Sequence, residues 1–246
     1  MPILIQIVVS MNNKNTFIIV SSQPYKEKDA LVRMINEDGT SISMIAKGTS
    51  SPTSKYGALL QPFNICEIDY HLKDNLSFFI SASLKKAIVY DDFNALAAAS
   101  FLLQSMEAIN RLESNSYPLW TIVDYLVLCQ TSSIAAMTKW CLDTLKLDGR
   151  EMMMDECVKC GSLQISSFSL SAGGFCCKTC SITEKNDISD IEILRTLRCL
   201  AKAPLDLAYK CSFHALTMHV VKILVYELKD SYPLAMKSWK FMDELV

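Results

Sequence analysis

Apolar positions recur every second residue over residues 17–82, and the spacing changes to threes and fours after Asp92. Phe17–Val20 is a short β-branched run, and Ala30–Asn36 is a second, closed by Glu37-Asp38-Gly39. Asp-Gly between two such runs predicts a hairpin. Ser41–Lys47 alternates, with Ile42, Met44 and Ala46 on one face and Ser43, Ile45 and Lys47 on the other. Phe63–Tyr70 alternates again, and so does Leu76–Ala82, where Leu76, Phe78 and Ile80 share a face. Five short strands in so little chain predict a small closed barrel rather than an open sheet. The longest break is Gly48–Gln61, rich in Ser, Thr and Gly. Met1–Ser10 falls outside this pattern. It reads either as an upstream extension, with Met11 the natural start, or as an added edge strand.

Beyond Asp92 the pattern is helical. Phe93, Leu96, Ala97, Phe101 and Leu102 form one stripe, and Asp91-Asp92 reads as the helix start. Pro118 opens a strongly apolar second helix through Leu128, and Ser133–Leu147 is a third, ended by Asp148-Gly149. Ser189-Asp190-Ile191-Glu192 has the form of a capping box, opening a helix that Pro204 stops. Leu216, Val220, Ile223 and Leu224 mark another helix, and a last one runs through Trp239 after Pro233. The predicted class is α+β: a five-stranded barrel, then a mostly helical domain. The boundary falls near Leu84–Asp92, dividing the chain into an extension (1–10), a barrel domain (11–86) and a helical domain (87–246).

Cysteine spacing adds a metal site to this picture. Cys157-Val-Lys-Cys160 and Cys177-Lys-Thr-Cys180 are two C-x-x-C pairs separated by sixteen residues, the pattern of a four-thiolate zinc knuckle over 157–180. Gly161 suits the first turn, and Gly173-Gly174 lets the backbone fold back before the second pair. Cys176 competes with Cys177 as third ligand, and the two-residue spacing favours Cys177. The alternative is four ordinary buried thiols. The other six cysteines (Cys66, Cys129, Cys141, Cys176, Cys199 and Cys211) lie mostly in apolar runs and are expected to be small core residues of a reduced, cytoplasmic protein. His71, His214 and His219 show no metal-like spacing.

No catalytic constellation emerges. There is no G-x-x-x-x-G-K-[ST] loop and no G-x-S-x-G elbow. A zinc deaminase needs a Glu two residues after a His or Cys to move protons beside the metal-bound water, and neither His71, His214 nor His219 has it. Four thiolates also fill the metal's coordination shell, so the expected Zn²⁺ is structural and the chain is expected not to be an enzyme. A metal-dependent enzyme survives only if one of the four sulfurs is not a ligand. No segment reads as a signal peptide or membrane span: Met1–Val9 lacks a basic lead, and Ala95–Ile109 is interrupted by Ser100, Gln104, Ser105 and Glu107.

The net charge of −2 advertises no global field for nucleic acid, so any such partner needs a local patch. Lys26, Lys28, Arg33, Lys47, Lys55 and Lys73 lie in the barrel region, with Tyr25 and Tyr56 beside Lys26 and Lys55. A ring next to an ammonium supplies stacking for a base and charge for a phosphate. Against this, residues 17–86 hold eight Lys or Arg and seven Asp or Glu, a nearly balanced surface.

Ala46-Lys47-Gly48, Ser54-Lys55 and Leu60-Gln61-Pro62-Phe63 carry a resemblance. In this order and spacing they resemble the RecO family of bacterial recombination mediators. Tyr25-Lys26-Glu27-Lys28-Asp29 is similar to that family's Tyr-x-Glu-x-Asp segment. Gly173-Gly174 is similar to its lead into the second cysteine pair, and Pro233-Leu234 with Lys237-Ser238 to its C-terminal Pro-Leu-Lys-Ser. The resemblance implies an N-terminal OB-fold, a helical second domain and, as in many members, a zinc knuckle. It implies DNA repair and recombination in the cytoplasm on the nucleoid: binding of single- and double-stranded DNA, annealing of complementary strands, and help in loading the recombinase onto coated DNA. RecR and single-strand DNA-binding protein are the implied partners. Lys47, Lys55, Arg33, Tyr56 and Lys26 are the candidate DNA contacts. The chain departs at Ser50, Ser51 and Thr53, where the family often carries basic residues. The competing reading is an adaptor whose barrel docks other repair proteins with little DNA affinity.

Overall fold

The first strand is long enough to serve two neighbours, and this closes the barrel. In the computed structural model, which describes residues 12–73, 76–113, 116–181 and 188–243, β1 spans Asn12–Tyr25. Its first half pairs with β4 (Asn64–Lys73) and its second half with β2 (Asp29–Asn36), with a register shift between Ile19 and Ser21. An extra residue at such a shift bends and twists a strand, so one strand turns from one partner to the next. β3 (Ser41–Ala46) pairs antiparallel with β2 and parallel with β5 (Leu76–Ala87), and β5 returns antiparallel to β4. The closed order β1-β2-β3-β5-β4 is that of an OB-fold. The reading of residues 1–10 and of Met11 lies outside the described residues.

Alternation places Phe17, Ile19, Val32, Met34, Met44, Ala46, Cys66 and Ile68 inside the barrel. The predicted hairpin is present: the Asn36 carboxamide accepts from the backbone N–H groups of Asp38 and Thr40, and Gly39 takes φ 88°. On β5 the face shared by Phe78 and Ile80 is the outward one. Phe79 and Ala82 pack on the core instead, because the register with β4 slips between Asp69 and Tyr70.

The described chain divides into two compact units. The first runs to Val89 and takes in Glu113–Leu119; the second holds Tyr90–Leu112 and the chain from Trp120 onward. The helices are α1 (Phe93–Leu112), α2 (Leu119–Thr131), α3 (Ser133–Leu147), the four-residue α4 (Lys178–Ser181), α5 (Ile191–Lys202), α6 (Met218–Leu228) and α7 (Met236–Asp243). Asp92 caps α1, its carboxylate accepting from the Ala95 N–H at 2.7 Å. Phe101 of α1 packs its ring against Trp140 of α3 and Trp239 of α7, the aromatic centre of this unit. Between α3 and α5, β6 (Ile165–Ser169) and β7 (Gly174–Cys177) form a two-stranded sheet.

Two expectations are corrected here. The cap of α5 is Asp190, not Ser189: the Asp190 carboxylate accepts from the N–H groups of both Glu192 and Ile193, so no capping box is needed, and Glu192 pairs with Arg195. Cys199 and Cys211 are not free thiols but a disulfide. Pro204 ends α5, and a 3-10 turn over Leu205–Lys210 brings the chain back until the two Cα atoms are 5.9 Å apart. Cys66, Cys129, Cys141 and Cys176 are buried and outside the disulfide. Burial in apolar surroundings raises the Cys66 thiol to about 11 and pushes Cys129 and Cys141 up as well, so these three remain neutral thiols.

Candidate metal centre and nucleic-acid interface

The first cysteine pair sits on a tight turn. The Gly161 N–H donates to the Cys157 carbonyl at 2.8 Å and the Cys157 N–H to the Ser162 carbonyl at 2.9 Å, with Gly161 at φ 71°. The Val158 N–H donates to the Phe175 carbonyl at 2.9 Å, which ties this turn to β7. Cys177 ends β7 and Cys180 lies one turn further, in α4. The four Sγ atoms of Cys157, Cys160, Cys177 and Cys180 fall within 4.8 Å of one another and can hold a metal ion. Cys160 and Cys177 are 3.7 Å apart at sulfur. A tetrahedral ion bound at about 2.3 Å would set its sulfurs about 3.8 Å apart, so the separation fits. Cys176 is fully buried and outside the cluster, since neighbouring residues on a strand point to opposite faces.

The electrostatics of the four sulfurs fit a cation. The backbone N–H of Cys177 stabilises the Cys157 thiolate and holds its pKa down at about 6. The backbone N–H of Cys180 likewise lowers Cys177. Hydrogen bonds to the Cys177 and Cys160 sulfurs push Cys180 up to about 12. For Cys160 the Ser162 amide pulls downward, but the Cys157 and Cys177 sulfurs outweigh it and the thiol is raised. Two sulfurs therefore favour the thiolate while two keep protons to share with them. A divalent ion replaces those two protons and leaves all four sulfurs as ligands.

The barrel brings some of the candidate DNA contacts together and not others. Asp29, at the start of β2, accepts from the Gly48 N–H at 2.9 Å; the Ser50 hydroxyl donates to the Asp29 carbonyl and the Ser50 N–H to the Lys28 carbonyl. These bonds stitch the Lys26–Lys28 turn to the Lys47–Ser50 loop. Lys26 takes φ 57° there, with its ammonium 5.3 Å from the Tyr25 ring. Replacing Asp29 by Ala is expected to cost about 1 kcal/mol. It should also speed hydrogen exchange at the Gly48 amide, which mass spectrometry at peptide resolution will read. Arg33 faces outward on β2 and donates to the Ser21 hydroxyl at 2.9 Å. Tyr56 is engaged: its ring meets Phe79 edge-on at the barrel core, with the Lys55 ammonium 4.8 Å above it. Lys73 ends β4, and its side chain lies outside the described residues. The loop between Lys47 and Lys55 is uncharged and lines an open cavity of about 450 Å³ with Thr49, Ser50, Ser51 and Ser54.

Residue-by-residue reading missed one pair. His71 of β4 and Phe78 of β5 stack at 5.3 Å with only 16° between their planes, and the Lys47 ammonium lies 5.9 Å from the Phe78 ring. The pairing depends on the cross-strand register, for which no local signal exists.

Residues 11–88 match the family model described as Recombination protein O N terminal. The chain is also similar over most of its length to curated proteins named DNA repair protein RecO. That of Oceanobacillus iheyensis is 22% identical, covering 93% of this chain and 92% of its own. That of Halalkalibacterium halodurans is 22% identical over 96% of both chains, and that of Shouchella clausii 25% identical over 69% of both. The barrel thus matches the N-terminal model of the RecO family, and most of the chain's length is similar to proteins of that name.

Proposed function

We propose that this protein is a non-enzymatic recombination mediator, acting in the cytoplasm on the nucleoid. It binds single- and double-stranded DNA through the barrel domain (11–86) and anneals complementary strands. It helps the recombinase replace single-strand DNA-binding protein, with RecR and that protein docking on the helical domain (87–246). Lys47, Lys55, Arg33, Tyr56 and Lys26 are the proposed DNA contacts. The metal is Zn²⁺, held by Cys157, Cys160, Cys177 and Cys180 in a structural role, because four soft thiolates in a tetrahedron suit zinc and leave no position for water. The observation that carries the reading is an OB-fold barrel in a chain similar along most of its length to DNA repair proteins. Among the described residues no helix is long and apolar enough to cross a membrane.

The test is annealing of two complementary labelled oligonucleotides coated with single-strand DNA-binding protein. Acceleration by this protein is expected, and its absence favours the second reading, an adaptor with little DNA affinity. That alternative draws on the uncharged loop between Lys47 and Lys55. The same loop sets a further expectation. Each neutralised phosphate adds roughly one unit to the slope of log affinity against log salt. A salt titration is therefore expected to give a slope shallower than about six contacts, and a steeper one refutes the idea.

A further inference from the structure

We propose that the outward-facing pair His71–Phe78, with Lys47 beside it, is a stacking platform for an unpaired base and strengthens binding of single strands over duplex. The proposal rests on the nucleic-acid-binding reading above and identifies which barrel surface takes the base. Phe79 fills the core position on β5, so Phe78 must face outward, where β4 places His71 opposite it and β3 places Ile45 on its other side. Ile80, two residues from Phe78 on β5, is exposed at 43%. The result is aromatic and aliphatic surface on the outside of a barrel whose other outward positions are mostly polar.

Lys47 is exposed and forms no ion pair among the described residues, which leaves its ammonium available to a phosphate beside the rings. The nearby carboxylates are committed. Asp69, two residues from His71 on the same face of β4, accepts from the Ser81 hydroxyl at 2.6 Å, and Glu67 beyond it pairs with Lys14 and Lys85. On the other side of Lys47 the Lys26–Lys28 turn, which Asp29 and Ser50 tie to the same loop, offers further ammonium groups to a backbone. In a duplex the base faces are already stacked on one another, so a ring platform adds affinity only for single strands. A purely structural pair would instead stabilise the β4–β5 contact and leave binding unchanged.

Fluorescence anisotropy with three labelled probes separates these possibilities: oligo(dT), an abasic oligomer of equal length, and a duplex. The wild-type protein is expected to bind oligo(dT) more tightly than the abasic oligomer. Phe78→Leu keeps apolar bulk but removes the ring, and is expected to weaken oligo(dT) binding about ten-fold while leaving the abasic oligomer and duplex unchanged. His71→Ala removes the partner ring without touching the core and should act in the same direction. Lys47→Ala should weaken all three alike. Wild-type binding to oligo(dT) that neither ring variant alters overturns the platform and leaves DNA binding standing. Wild-type failure to bind any probe overturns both.

Discussion

Cys177→Ser is expected to abolish stoichiometric metal binding and to unfold the 153–180 region, while the helical core survives. The three other sulfurs cannot close a tetrahedron, and the Cys177 sulfur is the one that lies 3.7 Å from Cys160 and weighs most on the Cys180 thiol. Apparent binding energies for structural zinc are on the order of 10 kcal/mol, and in small modules this is folding energy. Here the loss stays local, because Phe101, Trp140 and Trp239 form a core of their own. Far-UV circular dichroism should therefore retain most of its helical signal, while metal content falls and hydrogen exchange rises across 153–180. Cys176→Ser is the control: its sulfur is buried outside the cluster, so the metal should stay. Retention of metal in the Cys177 variant, or its loss only in the Cys176 variant, would show that the ligand set is different. Acid should act like the substitution. The Cys157 pKa is depressed from the ordinary thiol value to about 6, so its stabilisation is present in full above the ordinary value and is lost as pH falls through 6. Cys160 and Cys180, raised, release protons when metal binds, so affinity measured by chelator competition should rise with pH.

Gly174→Ala should be the most damaging alanine substitution among the described glycines. Gly174 has φ +148°, a region L side chains rarely adopt, and a Cβ there would lie 2.2 Å from the Met153 carbonyl oxygen and 2.7 Å from its nitrogen. Both atoms are backbone and both are in use: the Met153 N–H donates to the Gly173 carbonyl and its carbonyl accepts from Phe175, each at 2.9 Å. The clash cannot relax without breaking the bridge that holds the segment against β7, three residues before Cys177. A loss of about 3 kcal/mol or more is expected, with reduced metal occupancy. Gly173→Ala makes the sharper comparison. That residue also has positive φ, +84°, but a Cβ would meet nothing within 4 Å, so only the conformational cost of about 1 kcal/mol applies. Denaturant melts of the two variants should rank them in this order, and equal destabilisation would refute the backbone-contact explanation.

Much of the architecture was legible because it rests on short-range rules. Met44 and Ala46 alternate with Ile45 and Lys47, so the buried face of β3 follows from period two alone. C-x-x-C spacing is local geometry, and Cys157, Cys160, Cys177 and Cys180 do converge. The failures share a different cause. Ser189 matched a capping pattern, but the Asp190 carboxylate beside it reached two amides at once. Cys199 and Cys211 looked like separate buried thiols until the turn after Pro204 brought them together. His71 and Phe78 gave no signal in either strand, since only the β4–β5 register pairs them.

By itself, then, the sequence determined an alternating barrel, a helical remainder and four thiols with ligand spacing, because each depends on residues only a few positions apart. The tertiary structure decided which of Phe78 and Phe79 faces outward, which ring and which lysine share a surface, why Gly174 must lack a side chain, and which cysteines bond. Each of these depends on register or close approach between segments distant in the chain, and no local spacing encodes it.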